Sequence, residues 1–436
     1  MPMPAFVPPT VCALVLLAAA TASAQDLPPS LDLQSAVRIA LERNGLVGAS
    51  RFDSEAARAR ALQARASYFP SIVQSYDYTD NMANDYGLEG TFASRSYRQT
   101  NLSLNVSWTL LDSGQRKTSF DRANTAYAAA RLDEKQQRRN IIFDTTSGFY
   151  EALRGQELVR VAEAQVQRSK TILEITKARV EAGDTAAKEV LQAEADLANA
   201  EVSLIQARIR AGTSEATLKA VMGIPEDRAL PPLEVPPAPK LPEQFPPLDT
   251  YVQSALAQRP DLLAQEQNLR SLRLAVQQAQ LDQRINFELS AGYSRRWETQ
   301  AGDNRRLTLM ASIPIFDAGL RRENVRASAA SEESARLRYT QQQRTVRAEV
   351  ESGYLELTLR ASALRAAEIA LRAARVNYEA AEEARRLGAA SLAEVINAQL
   401  ALVTAETNSV QAVYDYYVAD SKLSLISGQP MIGETP

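Results

Sequence analysis

Histidine is absent from the 436-residue sequence, and cysteine occurs once, as Cys12. Histidine is the side chain best suited to general base catalysis near neutral pH, and it shares most zinc and copper sites with cysteine. Cys12 lies in an apolar N-terminal run that we expect to be removed, which would leave no disulfide, zinc-thiolate site or thiol nucleophile. No P-loop or dinucleotide fingerprint is present. The composition therefore argues against an enzyme and indicates no cofactor and no metal.

An excess of one charge is also missing. The chain has 49 Lys and Arg residues against 52 Asp and Glu residues, a formal net charge of −3. Proteins that bind nucleic acid usually have a strongly basic surface. We therefore expect no nucleic-acid partner.

Long apolar runs are missing after the first residues. The run at residues 11–20 ends in Ala22-Ser23-Ala24, which is typical of a secretory signal with its cleavage site, so residues 1–24 are interpreted as a signal peptide. No Lys or Arg precedes the run. The alternative is an uncleaved anchor, but the run is shorter than the roughly 20 residues that a membrane helix needs. If the exported chain enters a membrane, we expect it to do so as β-strands.

The rest of the chain is an internal duplication. A shift of 205 residues places Asp112 and Gly114 on Asp317 and Gly319. The first half also contains an insertion around residues 80–98, for which we expect a loop.

The boundaries of the two halves follow from this alignment. We assign residues 25–229 to the first repeat and residues 248–436 to the second. Between them, residues 230–247 are rich in proline, which cannot continue a helix. We therefore expect an extended linker there.

Each half has two segments in which apolar and polar residues alternate, the pattern of a strand with one apolar face. The four predicted strands are residues 72–78, 102–108, 285–293 and 307–315. A soluble sandwich also alternates, but two hairpins so far apart in sequence make a poor one.

The strand count bears on the assembly. Four strands cannot close a membrane barrel, since the smallest have about eight. Two copies would give a narrow barrel filled by its own side chains, whereas three would supply about twelve strands and leave a passage, so the count favours a trimer without excluding other numbers. Aromatic residues at or near the predicted strand ends would meet lipid headgroups, unless they are ordinary packing residues. These residues are Tyr76, Tyr78, Trp108, Tyr293 and Trp297.

Two very long helices are predicted in each half. No proline interrupts residues 115–182 or their copy, residues 320–387, and each stretch could form a helix of roughly 100 Å. The helix that follows each of them has apolar residues at heptad spacing, which indicates a packing seam and not a cofactor site. The seam positions include Val190, Leu197, Leu204 and Leu218, and Val395, Leu402, Tyr416 and Leu423.

Motifs in the same order in both halves resemble the TolC family of outer-membrane efflux proteins. They are residues 64–70, 110–114, 314–319 and 386–395. The resemblance implies a mainly helical protomer with four strands. Three such protomers would form a helical barrel in the periplasm and a twelve-stranded barrel in the outer membrane of a Gram-negative cell. It also implies a periplasmic adaptor and an inner-membrane RND or ABC transporter as partners, together with outer-membrane lipid.

The resemblance further implies a periplasmic aperture at Glu189, Gln192, Glu394 and Asn397. In three copies, Glu394 and Glu189 would form acidic rings that favour cations. The alternative is that both carboxylates only stabilise helix N-termini. Asn397 is neutral where family members carry a second acidic ring. Ala390 lacks the charge that some members use in a latching pair.

The loops that join the long helices are the implied docking tips for the adaptor, although any helical hairpin needs a glycine turn. They consist of Gly183, Asp184 and Thr185, and of Gly388, Ala389, Ala390 and Ser391. For the cargo, multidrug or other small-molecule efflux comes first and type I protein secretion second. A different class of function, a soluble periplasmic coiled-coil scaffold or adaptor, is the alternative, but such proteins are generally not duplicated.

Overall fold

The computed structural model describes residues 28–86, 92–225, 227–297 and 302–434, and the predicted signal peptide lies outside these ranges. The elements of the first half are α1 (Leu33–Arg43), α2 (Gly45–Ala66), β1 (Ser71–Tyr86), β2 (Phe92–Leu111), α3 (Gln115–Glu181) and α4 (Lys188–Met222). Those of the second half follow in the same order, as α5 (Leu248–Gln258), α6 (Pro260–Leu281), β3 (Asn286–Trp297), β4 (Gly302–Ser312), α7 (Leu320–Arg386) and α8 (Leu392–Ser427). The predicted fold class of the protomer, mainly helical with four strands, is confirmed.

The short helices begin at local sequence signals. The Asp32 side chain accepts a hydrogen bond from the Ser35 N–H at the start of α1, and Asn44 does the same for Leu46 at the start of α2. These caps satisfy N–H groups that the first helical turn leaves free. Between the two halves, residues 230–247 form no helix.

Each hairpin passes into its long helix through the same turn. The residue pairs Ser113–Gly114 and Ala318–Gly319 all have positive φ, between 52° and 96°. Asp112 accepts hydrogen bonds from the backbone N–H groups of Gly114 and Arg116, and its copy in the second half does the same. This repeated aspartate turn joins strand to helix in both halves.

The long helices α3 and α7 have 67 residues each. α3 packs on α4, α7 packs on α8, and contact between α3 and α8 holds the two helical hairpins side by side. The predicted heptad positions lie in these seams, where Val395, Leu402 and Leu423 are buried. None of the described helices is both long and apolar enough to cross a membrane.

The four strands form one antiparallel sheet in the order β1-β2-β3-β4. The predicted loop at residues 80–98 is wrong, because β1 continues to Tyr86, β2 starts at Phe92, and Asp80 pairs with Arg98. The insertion lengthens both strands equally, so its backbone groups bond to each other across the hairpin. The fourth predicted strand extends too far, since β4 ends at Ser312, just before Pro314, which has no N–H to donate to a ladder.

Substitution of two helical glycines tests how closely α3 and α4 pack. A Cβ at Gly155 would lie 2.9 Å from Cα of Ala211, whereas nothing lies within 4 Å of a Cβ at Gly212. We expect Gly155→Ala to destabilise the fold by roughly 1–3 kcal/mol through overpacking. Gly212→Ala should stabilise it by up to about 1 kcal/mol, because alanine is the better helix former. Urea titration in detergent measures the free energy of unfolding of both variants. Equal effects of the two substitutions would contradict the close approach of α4 to Gly155.

Candidate functional sites at the helical tips and on the sheet

The two helical hairpins end together at a surface that we call the mouth (residues 179–192 and 385–397). Gly183 and Gly388 make the turns with φ of 82° and 78°, and both have open space around them. The predicted docking residues Asp184, Ala389 and Ser391 are exposed, while Thr185 and Ala390 are half-buried. The two glycine turns thus lie on an open surface at the end of the hairpins.

Glu394 lies at the start of α8, where it completes a capping box. Its Oε2 accepts a hydrogen bond from the Ser391 N–H at 2.9 Å, and the Ser391 hydroxyl accepts one from the Glu394 N–H at 3.2 Å. This arrangement satisfies two N–H groups that the helix leaves free. The alternative predicted for Glu394, that its carboxylate stabilises a helix N-terminus, is therefore observed in the structure. Its role in an acidic ring stays a prediction, as does that of the exposed Gln192 and Asn397.

Glu189 lies at the start of α4 and is bound to the other hairpin. Arg385, near the end of α7, donates a hydrogen bond of 2.6 Å from Nη2 to Glu189 Oε2. The Nη1 group of the same arginine approaches the Ala390 carbonyl oxygen, and the Arg385 carbonyl accepts a hydrogen bond from Arg179 on α3. Arg385 thus links three of the four long helices at the mouth.

The electrostatics of Glu189 agree with this pairing. Burial would raise the pKa of the carboxyl, but hydrogen bonds from Thr185 and Arg385 and the nearby charges of Arg385 and Arg179 lower it on balance. An opposite charge and hydrogen bonds to the ionised form both favour that form. Glu189 is therefore held as a carboxylate, engaged in an ion pair between the hairpins.

A second set of polar contacts joins the hairpins further from the tips. Gln399 on α8 is buried and donates to the Ser169 hydroxyl on α3, which in turn donates to Asp196 on α4. Nearby, Arg168 on α3 forms an ion pair of 2.9 Å with Glu406 on α8. The α3–α8 seam is therefore held by specific polar groups as well as by apolar packing.

The sheet has two faces of opposite character, because cross-strand neighbours point the same way. The apolar face contains one glutamine, Gln74, and otherwise mainly apolar residues, which include Ile72, Tyr76, Tyr78, Leu102, Leu104, Val106, Trp108, Phe287, Leu289, Ala291, Tyr293, Leu307, Leu309 and Ala311. The polar face includes Ser71, Ser75, Asp77, Ser103, Asn105, Ser107, Glu288, Ser290, Ser294, Arg296, Asn304, Arg306 and Thr308. On that face the hydroxyls of Ser71 and Ser107 are 2.7 Å apart. This is the pattern of a sheet between hydrocarbon and water.

The aromatic residues take different positions on this sheet. Trp297 is the last residue of β3, and Trp108 lies near the helix-proximal end of β2, where its indole N–H donates to the Tyr68 carbonyl. Tyr76, Tyr78 and Tyr293 lie inside their strands. Their predicted location at strand ends is wrong for β1, because that strand is twice as long as the alternation indicated.

Comparison of the chain with known proteins shows which family it belongs to. The family described as outer membrane efflux protein matches residues 36–224 and 251–429. The chain belongs to this family. The predicted resemblance and the location in the outer membrane of a Gram-negative cell, with an extension into the periplasm, are confirmed.

Individual members of the efflux family align over almost the whole chain. The outer membrane efflux protein BepC of Brucella suis is 25% identical, with 96% of this chain and 90% of BepC covered. The alkaline protease secretion protein AprF of Pseudomonas aeruginosa is 23% identical, with 93% and 89% covered. The crystal structure of the Campylobacter jejuni CmeC outer membrane channel has a TM-score of 0.80 at 18% identity, with 91% and 85% covered. This chain therefore has the fold of an outer-membrane efflux channel.

Proposed function

We propose that the chain is the outer-membrane exit duct of a three-component export system, working as a homotrimer and carrying small molecules such as drugs. The observation that carries the proposal is the sheet with one apolar and one polar face, attached to the long helices α3 and α7, each of roughly 100 Å. Such a sheet can line a water-filled passage through lipid, and such helices can continue the passage across the periplasm.

Unpartnered edges and faces support the trimer. The sheet ends in two edge strands, β1 and β4, and an open edge is not tolerated in hydrocarbon. Exposed aliphatic side chains lie at helical spacing on α4, at Val202, Ile205 and Ile209, and on α7, at Leu355 and Leu359. Three copies would pair every edge in a barrel of about twelve strands and would cover these stripes.

The mouth is the part suited to a periplasmic adaptor. Asp184, Ala389 and Ser391 are exposed there, and both glycine turns have open space around them. An inner-membrane RND or ABC transporter would then supply the energy, since the duct itself offers only a passive path. No catalytic step is proposed for any residue of the chain.

Two kinds of cargo deserve a direct test, because the related proteins differ in what they export. BepC is named for efflux and AprF for secretion of a protease. We place small-molecule efflux first and type I protein secretion second.

The experiment compares a deletion strain with its parent and with a strain complemented by the wild-type chain. Retention of fluorescent drug-like dyes and the proteins in the culture medium are both measured. We expect dye retention to rise several-fold on deletion and to return to the parental level on complementation, with unchanged secreted proteins. Loss of one secreted protein with normal dye export would overturn the first proposal in favour of protein secretion.

A further inference from the structure

The apolar face of the sheet ends in arginines at the side away from the helices. Arg295 on β3 is paired with Leu102 and Asp303, and Arg305 on β4 is paired with Tyr293. Because cross-strand partners share a face, both arginines point to the same side as the apolar residues. Trp297, two residues beyond Arg295, shares that side as well.

Their height along the strands matches a membrane boundary. Arg295 lies eight residues beyond Phe287 on β3, about 26 Å along the strand at roughly 3.3 Å per residue and about 20 Å in height at a strand tilt of roughly 40°. Membrane barrels have an apolar band about 25 Å tall. The helices leave the sheet at its opposite end, after Leu111 and before Asn286. Since the helices extend into the periplasm, the arginines lie at the outer leaflet.

These guanidinium groups are poorly neutralised by the protein. The Arg305 side chain is exposed and makes no hydrogen bond or ion pair within the described residues. Arg295 is 3.8 Å from Asp303, with half of each side chain exposed, and its guanidinium lies 5.5 Å from the centre of the Trp297 ring. Exposed pairs of this length contribute little. One positive charge beside the membrane therefore remains without a partner.

We propose that Arg295, Arg305 and Trp297 bind the phosphate end of a phosphorylated glycolipid in the outer leaflet. Arginine matches phosphate geometry with two parallel N–H donors, and the two guanidinium groups lie on diagonal positions of neighbouring strands, within reach of one phosphate. The Trp297 indole packs at the boundary between the sugar and the acyl chains, as tryptophan does at membrane interfaces. The acyl chains lie along the apolar face below. This site concerns how the duct is held in the membrane, so it does not depend on which cargo is exported.

The chain itself offers a matched control. Arg296 and Arg306 follow the two proposed ligands directly in sequence, but they point to the polar face. The variant R296Q/R306Q removes the same charge from the same strands on the side away from lipid. The variant R295K/R305K keeps the charge but loses the paired donors.

The test measures diphosphorylated lipid A retained by the full-length chain purified in mild detergent, by quantitative mass spectrometry. We expect R295Q/R305Q to retain roughly tenfold less than wild type, because hydrogen bonds between charged groups are strong. R296Q/R306Q should retain the wild-type amount, and R295K/R305K an intermediate amount. Wild type should bind dephosphorylated lipid A as weakly as R295Q/R305Q binds lipid A. The oligomeric state of each variant is checked on gels. If R295Q/R305Q fails to assemble, the lipid retained by R295K/R305K is compared with that retained by wild type instead.

Three results would overturn the proposal. Equal retention by wild type and R295Q/R305Q would mean that the arginines do not bind the lipid. Equal retention of the dephosphorylated lipid by wild type would mean that the acyl chains alone are recognised. Displacement by millimolar inorganic phosphate would assign the site to the free anion. Dye export by R295Q/R305Q is expected to equal that of wild type. A failure of the lipid-binding proposal can therefore be distinguished from a failure of the proposed export function.

Discussion

Arg385→Ala is expected to open the helical mouth and to raise the single-channel conductance of the purified protein in planar bilayers several-fold. Arg385 is the group that ties α7 to Glu189 of the other hairpin, and its carbonyl also accepts a hydrogen bond from Arg179. Without the guanidinium, Glu189 loses its ion pair, and the tip of the α7–α8 hairpin is free to move away from α3 and α4. A partly buried carboxylate that has lost its ion pair favours separation, because separation returns it to water.

The neighbouring residue provides the control for this variant. Arg386 is exposed, and its ion pair of 2.6 Å with Glu383 stays within α7. Arg386→Ala removes the same charge without touching the other hairpin, so its conductance should equal that of wild type. The exchange Arg385→Glu with Glu189→Arg should restore the wild-type conductance. If Arg385→Ala and Arg386→Ala conduct equally, the pair does not hold the mouth.

The same ion pair sets an expectation for acid. The pKa of Glu189 is lowered below its ordinary value of 4.5. A carboxyl whose folded-state pKa is depressed contributes stability that is complete above the unfolded value and is lost as the pH falls through the folded value. Wild-type conductance should therefore stay constant from neutral pH down to the ordinary carboxyl range and should rise only below it. In Glu189→Gln this acid-induced rise should be absent.

The sequence could not identify Arg385 as the partner of Glu189. Arg385 and Arg386 are adjacent in a long polar helix, and which of them faces the other hairpin depends on how α7 rotates around α8. That rotation depends on packing between helices of both repeats, including the contact of α8 with α3, which the pattern within one helix does not reveal. The neutral Ala390 argued against a latching pair. In the structure the Arg385 Nη1 group lies 3.4 Å from the Ala390 carbonyl oxygen.

Helices and strand faces that depend on the local residue pattern could be predicted from the sequence. The helix predicted from residue 115 to about 182 is α3, Gln115–Glu181. The alternation in residues 102–108 assigned the two faces of β2 correctly, since one face of a strand repeats every second residue. The insertion at residues 80–98 has no counterpart in the second half, so it was interpreted as a loop. Its strands are specified by pairing across the hairpin, which a single segment does not reveal.

Arg139→Met is expected to lower the free energy of unfolding by about 3–5 kcal/mol, the loss typical of breaking a buried ion pair. Arg139 is only 2% exposed on α3 and forms two hydrogen bonds with the Glu434 carboxylate. It also donates to the backbone carbonyls of Ser424 and Gln429. Methionine would leave the Glu434 carboxylate and both carbonyls without these donors, and unsatisfied buried polar groups are costly.

Substitution of the neighbouring Arg138 separates the loss of the buried ion pair from the loss of a positive charge alone. Its side chain is exposed, so Arg138→Met should change the unfolding free energy by less than about 0.5 kcal/mol. Glu434→Met added to Arg139→Met should recover part of the loss, because the pair is then replaced by apolar volume and no charge stays buried. Urea titration in detergent measures all three, and limited proteolysis reports whether the segment around Met431 detaches from α1 and α3. If Arg139→Met and Arg138→Met were equally stable, the C-terminal segment would be held by the apolar contact of Met431 with Val37 and Ile142 alone.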